Sequence, residues 1–317
     1  MAMELIGVAG MTPELKQTYD RLLLMRAIPN FVHGNWGQKR DIPAGGGKSV
    51  EFRRFERITT STSALTEGTP PTETQATFSI VAATISQYGQ FSKLSDILET
   101  QSFDPVIAEF SENYGESMGD CIDQVVRDVI IAGTTVQYAS TAGSRGGVGS
   151  GMYFDSAEIR EAVSTLKRAN AKQAVDSKYI CILHTDVTRD LFADTNIVNA
   201  FKDAADRGGG NPLFTGVLGD YMGVRFVETT NARVFSSLGL SGADVYGVLF
   251  LAKQAYGVTE LSALQARTII HPRGSGGHTD PLEQYSTVGW KAALAAVILN
   301  NDFMVRVECN ASHKTAA

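Results

Sequence analysis

The chain is poor in cysteine, in histidine and in long apolar runs. Its three cysteines, Cys121, Cys181 and Cys309, stand far apart. An odd, scattered set is neither a disulfide framework nor a metal-binding knuckle, and it fits a reducing compartment. Each lies in an apolar context and reads as a small buried hydrophobe. Five histidines, His33, His184, His271, His278 and His313, are too dispersed for a zinc-binding helix, and no H-E-x-x-H occurs. His271, His278 and Asp280 fall close together in a glycine-rich stretch, which reads as a solvated turn rather than a metal site. No window approaches the ~18 uninterrupted apolar residues of a membrane span. Met1 to Met11 lacks the basic flank and apolar core of a signal peptide. The expectation is a protein that contacts no membrane and stays where it is made.

What is present is ordinary globular composition: 317 residues, 43% apolar and 20% charged. Disorder, a collagen-like repeat and a coiled-coil rod are excluded, and the length suits one large domain or two smaller ones. With 28 basic and 34 acidic side chains the net charge is −6. That balance argues against a strong grip on bare DNA or an anionic membrane, both of which need clustered cation.

Catalytic motifs are absent. Gly45-Gly46-Gly47-Lys48-Ser49 ends like a phosphate-binding loop, but the residue five before Gly47 is Ile42, and the stretch opens a strand where the motif needs a helix. It reads as a hinge. No G-x-G-x-x-G or G-x-S-x-G is present. No cofactor, metal or catalytic residue is assigned. A hydrolase or nucleotide-binding enzyme using residues 45–49 is kept as a competing reading, with Lys48 as its test.

The element pattern is more informative. Thr12 to Ile28 is amphipathic, with Thr12 as cap, Pro13 at the tolerated first position and Pro29 as its end. A polar, aperiodic arm follows. From Gly47 the period becomes two: Val50, Phe52, Arg54 and Glu56 alternate with Glu51, Arg53, Phe55 and Arg57. Thr59 to Thr74 is a turn-rich tip stiffened by Pro70-Pro71, and Ala76 to Ser92 is a second long strand. Together they predict a hairpin whose arms of ten to fifteen residues project roughly 30–50 Å. A two-stranded ribbon cannot bury its own apolar side chains, so Phe52, Phe55, Phe78 and Ile80 need cover from elsewhere.

Asp104-Pro105 then opens a helix of about thirty residues, ~45 Å long. Ile107, Phe110, Tyr114, Met118, Cys121, Val125 and Val129 mark its apolar face. Glu109, Glu112, Glu116, Asp120 and Asp123 make an acidic row closed by Arg127. Like charges at this spacing repel mildly, so the row invites a basic partner. Further on, the pattern predicts helices after Asp155 and over Thr185 to Asp206. Strands are predicted at Tyr179 to Leu183, Val224 to Val227, Val245 to Leu251, Val288 to Leu299 and Phe303 to Cys309. The class is α+β without a regular βαβ beat.

This order of elements resembles the major capsid proteins of tailed bacteriophages, which share the Johnson (Hong Kong phage-type) fold. The chain looks most like coat proteins typified by a podovirus with a virion-packaged RNA polymerase. The likeness is carried by MTPELKQTYDRLLLMRAIPNFVHGNWGQKR (11–40), ISQYGQFSKLSDILE (85–99), DVTRDLFAD (186–194), GVRFVETTNA (223–232) and TVGWKAALAAVILNNDFMVRVE (287–308). The resemblance implies an N-terminal arm (1–46), an extended β-hairpin loop (47–95) and a peripheral domain with a long spine helix (96–153). An axial domain (154–283) and return strands of the peripheral domain (284–317) would follow. It implies a non-enzymatic subunit that self-assembles into hexamers and pentamers of an icosahedral phage head around double-stranded DNA, bound without sequence specificity. A portal protein and scaffolding or decoration proteins are the further partners implied. The location implied is the virion capsid, assembled in the host bacterial cytoplasm. An encapsulin-like nanocompartment is the alternative on the same fold. No scaffold-like N-terminal extension or cross-linking residue is seen. For the contact between subunits, Phe52, Phe55, Phe78, Arg53, Arg54 and Arg57 on the ribbon are expected to meet Glu112, Glu116 and Asp120 on a neighbouring spine helix.

Overall fold

A computed structural model describes residues 31–42, 47–56, 58, 60–71, 73–101, 106–199, 219–260, 266–275 and 282–313. The expected Thr12–Ile28 helix, Arg57, His278 and Asp280 lie outside these residues.

Along the chain, the arm supplies a two-residue strand, β1 (Gln38–Lys39). The ribbon is β2 (Ser49–Phe55) and β3 (Phe78–Thr84), paired antiparallel from Ser49↔Thr84 to Phe55↔Phe78. Next come β4 (Ser86–Ser95), a short helix α1 (Asp96–Gln101) and the long helix α2 (Val106–Ile130). β5 (Val136–Tyr138), α3 (Ser156–Arg168), β6 (Tyr179–Leu183) and α4 (Thr185–Leu191) follow. The remainder is strand: β7 (Asp220–Tyr221), β8 (Val224–Glu228), β9 (Val234–Phe235), β10 (Val245–Leu251), β11 (Tyr256–Glu260), β12 (Arg267–His271), β13 (Tyr285–Ile298) and β14 (Met304–Cys309).

These strands form two sheets and the free ribbon. A five-stranded sheet is organised on β13, whose 14 residues pair with β4 along one edge and with β12 and then β11 along the other. A seven-stranded sheet runs β5-β14-β10-β6-β8-β7, with β9 on β10. The helix α3 covers one face of it. Asp155 caps that helix by accepting from Ala157 and Glu158 backbone N–H, as the capping-box spacing predicts. Beneath α3, Cys181, Phe250, Val305 and Val307 form the largest core. A second core joins the two sheets through Ile180, Ile182, Leu249, Leu251, Tyr256 and Leu294, with Val126 and Ile130 from the end of α2.

Several expectations are corrected. The strand expected over Ala76 to Ser92 is two strands, because buried Ile85 turns the chain inward and donates its N–H to Lys48 O at 3.0 Å. Only seven residues per arm pair as ribbon, a rod of about 23 Å rather than 30–50 Å. The long helix has 25 described residues, about 38 Å. Its buried side includes Gly115 and Gly119, so the contact centres one step round from Cys121, Val125 and Val129, which are half-buried. The helix expected over Thr185 to Asp206 breaks after Leu191. Asp194 restarts it by accepting from Asn196 N–H at 2.8 Å, while its other oxygen holds Ser156 N–H at 2.8 Å; a side chain that competes for backbone groups ends a helix in this way. Finally, β13 and β14, read as one return segment, belong to different sheets: β14 pairs with β10 and β5.

Candidate interface surface

The ribbon divides into an inner and an outer face. Val50, Phe52 and Arg54 point to the body of the chain, and Glu51, Arg53 and Phe55 point away. Phe52 is only 3% exposed and packs with Ile42, Ala83, Ile85, Ala293 and Ala295. Its ring lies over Gly257, where a Cβ would come within 2.7 Å of it. Phe52 therefore needs no neighbour, contrary to the sequence expectation, because the five-stranded sheet of the same chain offers a glycine as a seat. Arg54 is also engaged internally, donating to Leu299 O at 3.3 Å.

The outer face is different. Register places Ile80 opposite Arg53 and Phe78 opposite Phe55. Phe55 is 78% exposed, Phe78 and Ile80 are at least half exposed, and the two phenylalanine rings lie 6.3 Å apart. Three large apolar side chains and one exposed cation thus share a single open surface.

The acidic row on α2 is likewise split. Glu109 and Glu116 are exposed and Glu112 is half-buried. Lower down, Asp120 accepts from Asn231 Nδ2 at 3.0 Å, and Arg127 donates to Asn231 O at 2.8 Å. Asp123 is buried and belongs to the fold. Its Oδ1 accepts the backbone N–H of Val32 and His33 at 2.9 and 2.7 Å, and its Oδ2 lies 2.7 Å from His33 Nδ1. Tyr256 closes this clamp by donating its hydroxyl to His33 O, and burial pushes its phenol well above the usual value.

A second buried ion group was not foreseen. Glu308, on β14, is fully buried and takes a two-point fork from Arg145, Nε to Oε2 at 2.8 Å and Nη2 to Oε1 at 2.6 Å. Hydrogen bonding to Glu308 raises the guanidinium above its ordinary value. The same guanidinium lies 3.6 Å from the centroid of the Phe235 ring. Arg306 adds a contact at 2.8 Å. The fork ties the segment between β5 and α3 to the last strand. Nothing in the local pattern marks Arg145 or His33 as partners of acids 163 and 90 residues away. Among the described residues, no helix is long and apolar enough to cross a membrane.

A ribbon with one apolar open face, a long helix packed on one sheet and a separate second sheet make an α+β chain whose exposed apolar surface suits contact with another protein surface. The family model for phage capsid protein matches residues 79–307, most of the chain, and the chain belongs to that family. Its fold is similar to the capsid of Ralstonia phage GP4, with a TM-score of 0.70 at 14% identity over 90% of each chain. It is also similar to the capsid of cyanophage P-SCSP1u, TM-score 0.67, 17% identity and 89% of each chain. The capsid of cyanophage Pam1 gives 0.67 at 16% identity, over 91% of this chain and 93% of that one. No curated protein sequence matches. The α+β fold is thus that of phage capsid proteins, and the chain is a phage capsid subunit; the encapsulin alternative is not favoured.

Proposed function

We propose that this chain assembles through its ribbon into hexamers and pentamers that close around double-stranded DNA, with a structural role and no catalysis. The observation that carries the reading is the outer ribbon face, where Phe55, Phe78 and Ile80 stay exposed in the single chain. Covering such surface is worth ~25 cal/mol per Å², and a neighbouring copy is the cover. Arg53 on that face, helped by Arg54 and Arg57, meets Glu112, Glu116 and Asp120 on a neighbour's α2. Among the described residues, Arg53 and Glu116 are the most exposed members of the two groups and form the main pair in this reading. In this reading the five-stranded sheet with α2 is the peripheral domain and the seven-stranded sheet the axial one. A portal protein replaces one pentamer, scaffolding and decoration proteins are accessory partners, and assembly takes place in the host bacterial cytoplasm. The net charge of −6 suits a wall that contains DNA without pinning it. Electron microscopy of the purified chain tests the proposal. Closed shells or capsomer rings are expected, and shells from infected cells should hold DNA. Monomers at high concentration, or shells filled with a protein cargo, would overturn it.

A further inference from the structure

The long helix α2 lies on one face of the five-stranded sheet, but the two do not meet evenly. On β13, Trp290, Ala292 and Leu294 share the face turned to the helix, because side chains two apart lie on one side of a strand. Trp290 packs with Tyr114 and Met118 in one core, and Leu294 packs with Val126 and Val258 in another. Between these large side chains Ala292, and with it Ala266, offers only a methyl group. The gap is a cavity of about 240 Å³, with Ile122 and Asp123 of α2 on one side and the arm at Phe31 and Gly34 on another. Its floor, Val126, Val258, Ala292 and Leu294, is buried. Asn35 and Lys39 also line it but are exposed, and they mark its mouth. An apolar floor thus rises to a cation at the rim.

Size and charge together select an occupant. An apolar cavity of ~150 Å³ takes up benzene, so this one has room for a short alkyl chain. Asp123 offers a ligand no acceptor, because its Oδ1 accepts the backbone N–H of Val32 and His33 and its Oδ2 lies against His33 Nδ1. Asn35 Nδ2 donates one hydrogen to Phe31 O, and its second remains for a ligand. Lys39 is the one cation among the described residues of the wall, and an ammonium only donates. Both polar groups at the mouth therefore suit an acceptor that carries negative charge. The geometry points to a site for a medium-chain carboxylate, its chain between Val126 and Leu294 and its head at Lys39 and Asn35. Such a chain touches Phe31 and Ile122 at once, so it fastens the arm to α2 beside the His33–Asp123 clamp. Binding to the folded chain alone stabilises it. The site lies away from the outer ribbon face and does not depend on the assembly reading.

Titration calorimetry of the full chain with sodium octanoate tests the site. One octanoate should bind per chain. Hexanoate should bind about fifteenfold more weakly, since each buried methylene is worth roughly a factor of four. Lys39→Glu should weaken octanoate roughly tenfold or more through the lost charged hydrogen bond. Ala292→Leu, which fills the floor, should abolish binding, and Ala266→Leu is read in the same way should Ala292→Leu fail to fold. Hydrogen exchange at the Val32 and His33 amides should slow with octanoate in the unsubstituted chain and not in the filled variant. Absence of saturable binding overturns the site, as does binding that Lys39→Glu and the filled variant both leave unchanged. Octylamine binding more tightly than octanoate would make Asp123 the group that selects the head and overturn the assignment. Equal binding of 1-octanol would remove Lys39 from the site. Exchange at Val32 and His33 that ignores bound octanoate would sever the link to the arm.

Discussion

His33 Nδ1 lies 2.7 Å from Asp123 Oδ2, and both side chains are wholly buried. The pair fastens the arm to the long helix, because the second carboxylate oxygen also holds the arm's backbone N–H groups. Removing one member of a buried, hydrogen-bonded pair leaves the other uncompensated and costs about 3–5 kcal/mol. Asp123→Ala should lower the denaturation midpoint strongly, and the double variant with His33→Ala should cost clearly less than the two single losses added. Additive losses in that cycle would show that the pair is not coupled.

Gly257 is the seat of the Phe52 ring, so Gly257→Ala forces the ribbon base off the sheet. Overpacking of this kind costs typically 1–3 kcal/mol. Thermal unfolding should show the loss, and Phe52→Leu on the alanine background should recover part of it. An unchanged melting temperature for Gly257→Ala would mean that the ribbon base is not held there.

Acid should act in two stages. Burial raises the Glu158 carboxyl above its ordinary 4.5, despite the hydrogen bonds from Ser140 N–H and Gln137. Its folded form therefore binds a proton more readily than its unfolded form, and stability rises as pH falls through that raised value. Asp194 and Asp220 run the other way. Burial alone would raise them, but hydrogen bonds from Ser156 and Asn196 to the first, and from Lys178 and Arg225 to the second, bring both below 3.8. Their stabilisation is present above the ordinary value and is lost as pH falls through the depressed ones. Urea midpoints of the unassembled chain, measured from pH 7 to pH 2, should rise slightly and then drop. Glu158→Gln should abolish the rise alone.

Arg53→Glu should raise the concentration needed for assembly, read by light scattering, and Glu116→Lys should lower it again. One exposed pair contributes ~0.2–1 kcal/mol, so the effect shows only because each subunit repeats it. Arg53→Glu that assembles like the unsubstituted chain would remove this pair from the interface.

Much of this fold was readable in the pattern of residues. The period-two run at Val50–Phe55, the steps of three and four through Tyr114 and Met118, and the Asp155 cap are local signals, and local physics placed them correctly. The misreadings share a cause. Ile85 looks like any strand residue, and only its burial against Ala83 and Ala293 reveals a corner. Phe52 and Phe55 look alike in sequence, yet a glycine 205 positions later decides which is buried. Asp123 reads as one more member of an acidic row until the arm is seen to close on it.

Ile85 is the sole residue between β3 and β4. The projecting hairpin and the strand that lies along ten residues of β13 are thus one nearly unbroken length of chain, with no slack loop to absorb a pull. Tension applied at the hairpin by an adjoining copy passes straight into the edge strand β4 and from it to β13, the strand that organises the sheet carrying α2. A rearranging shell can therefore bend its subunits through this cable, and a single flexible glycine inserted at the joint would disconnect the two.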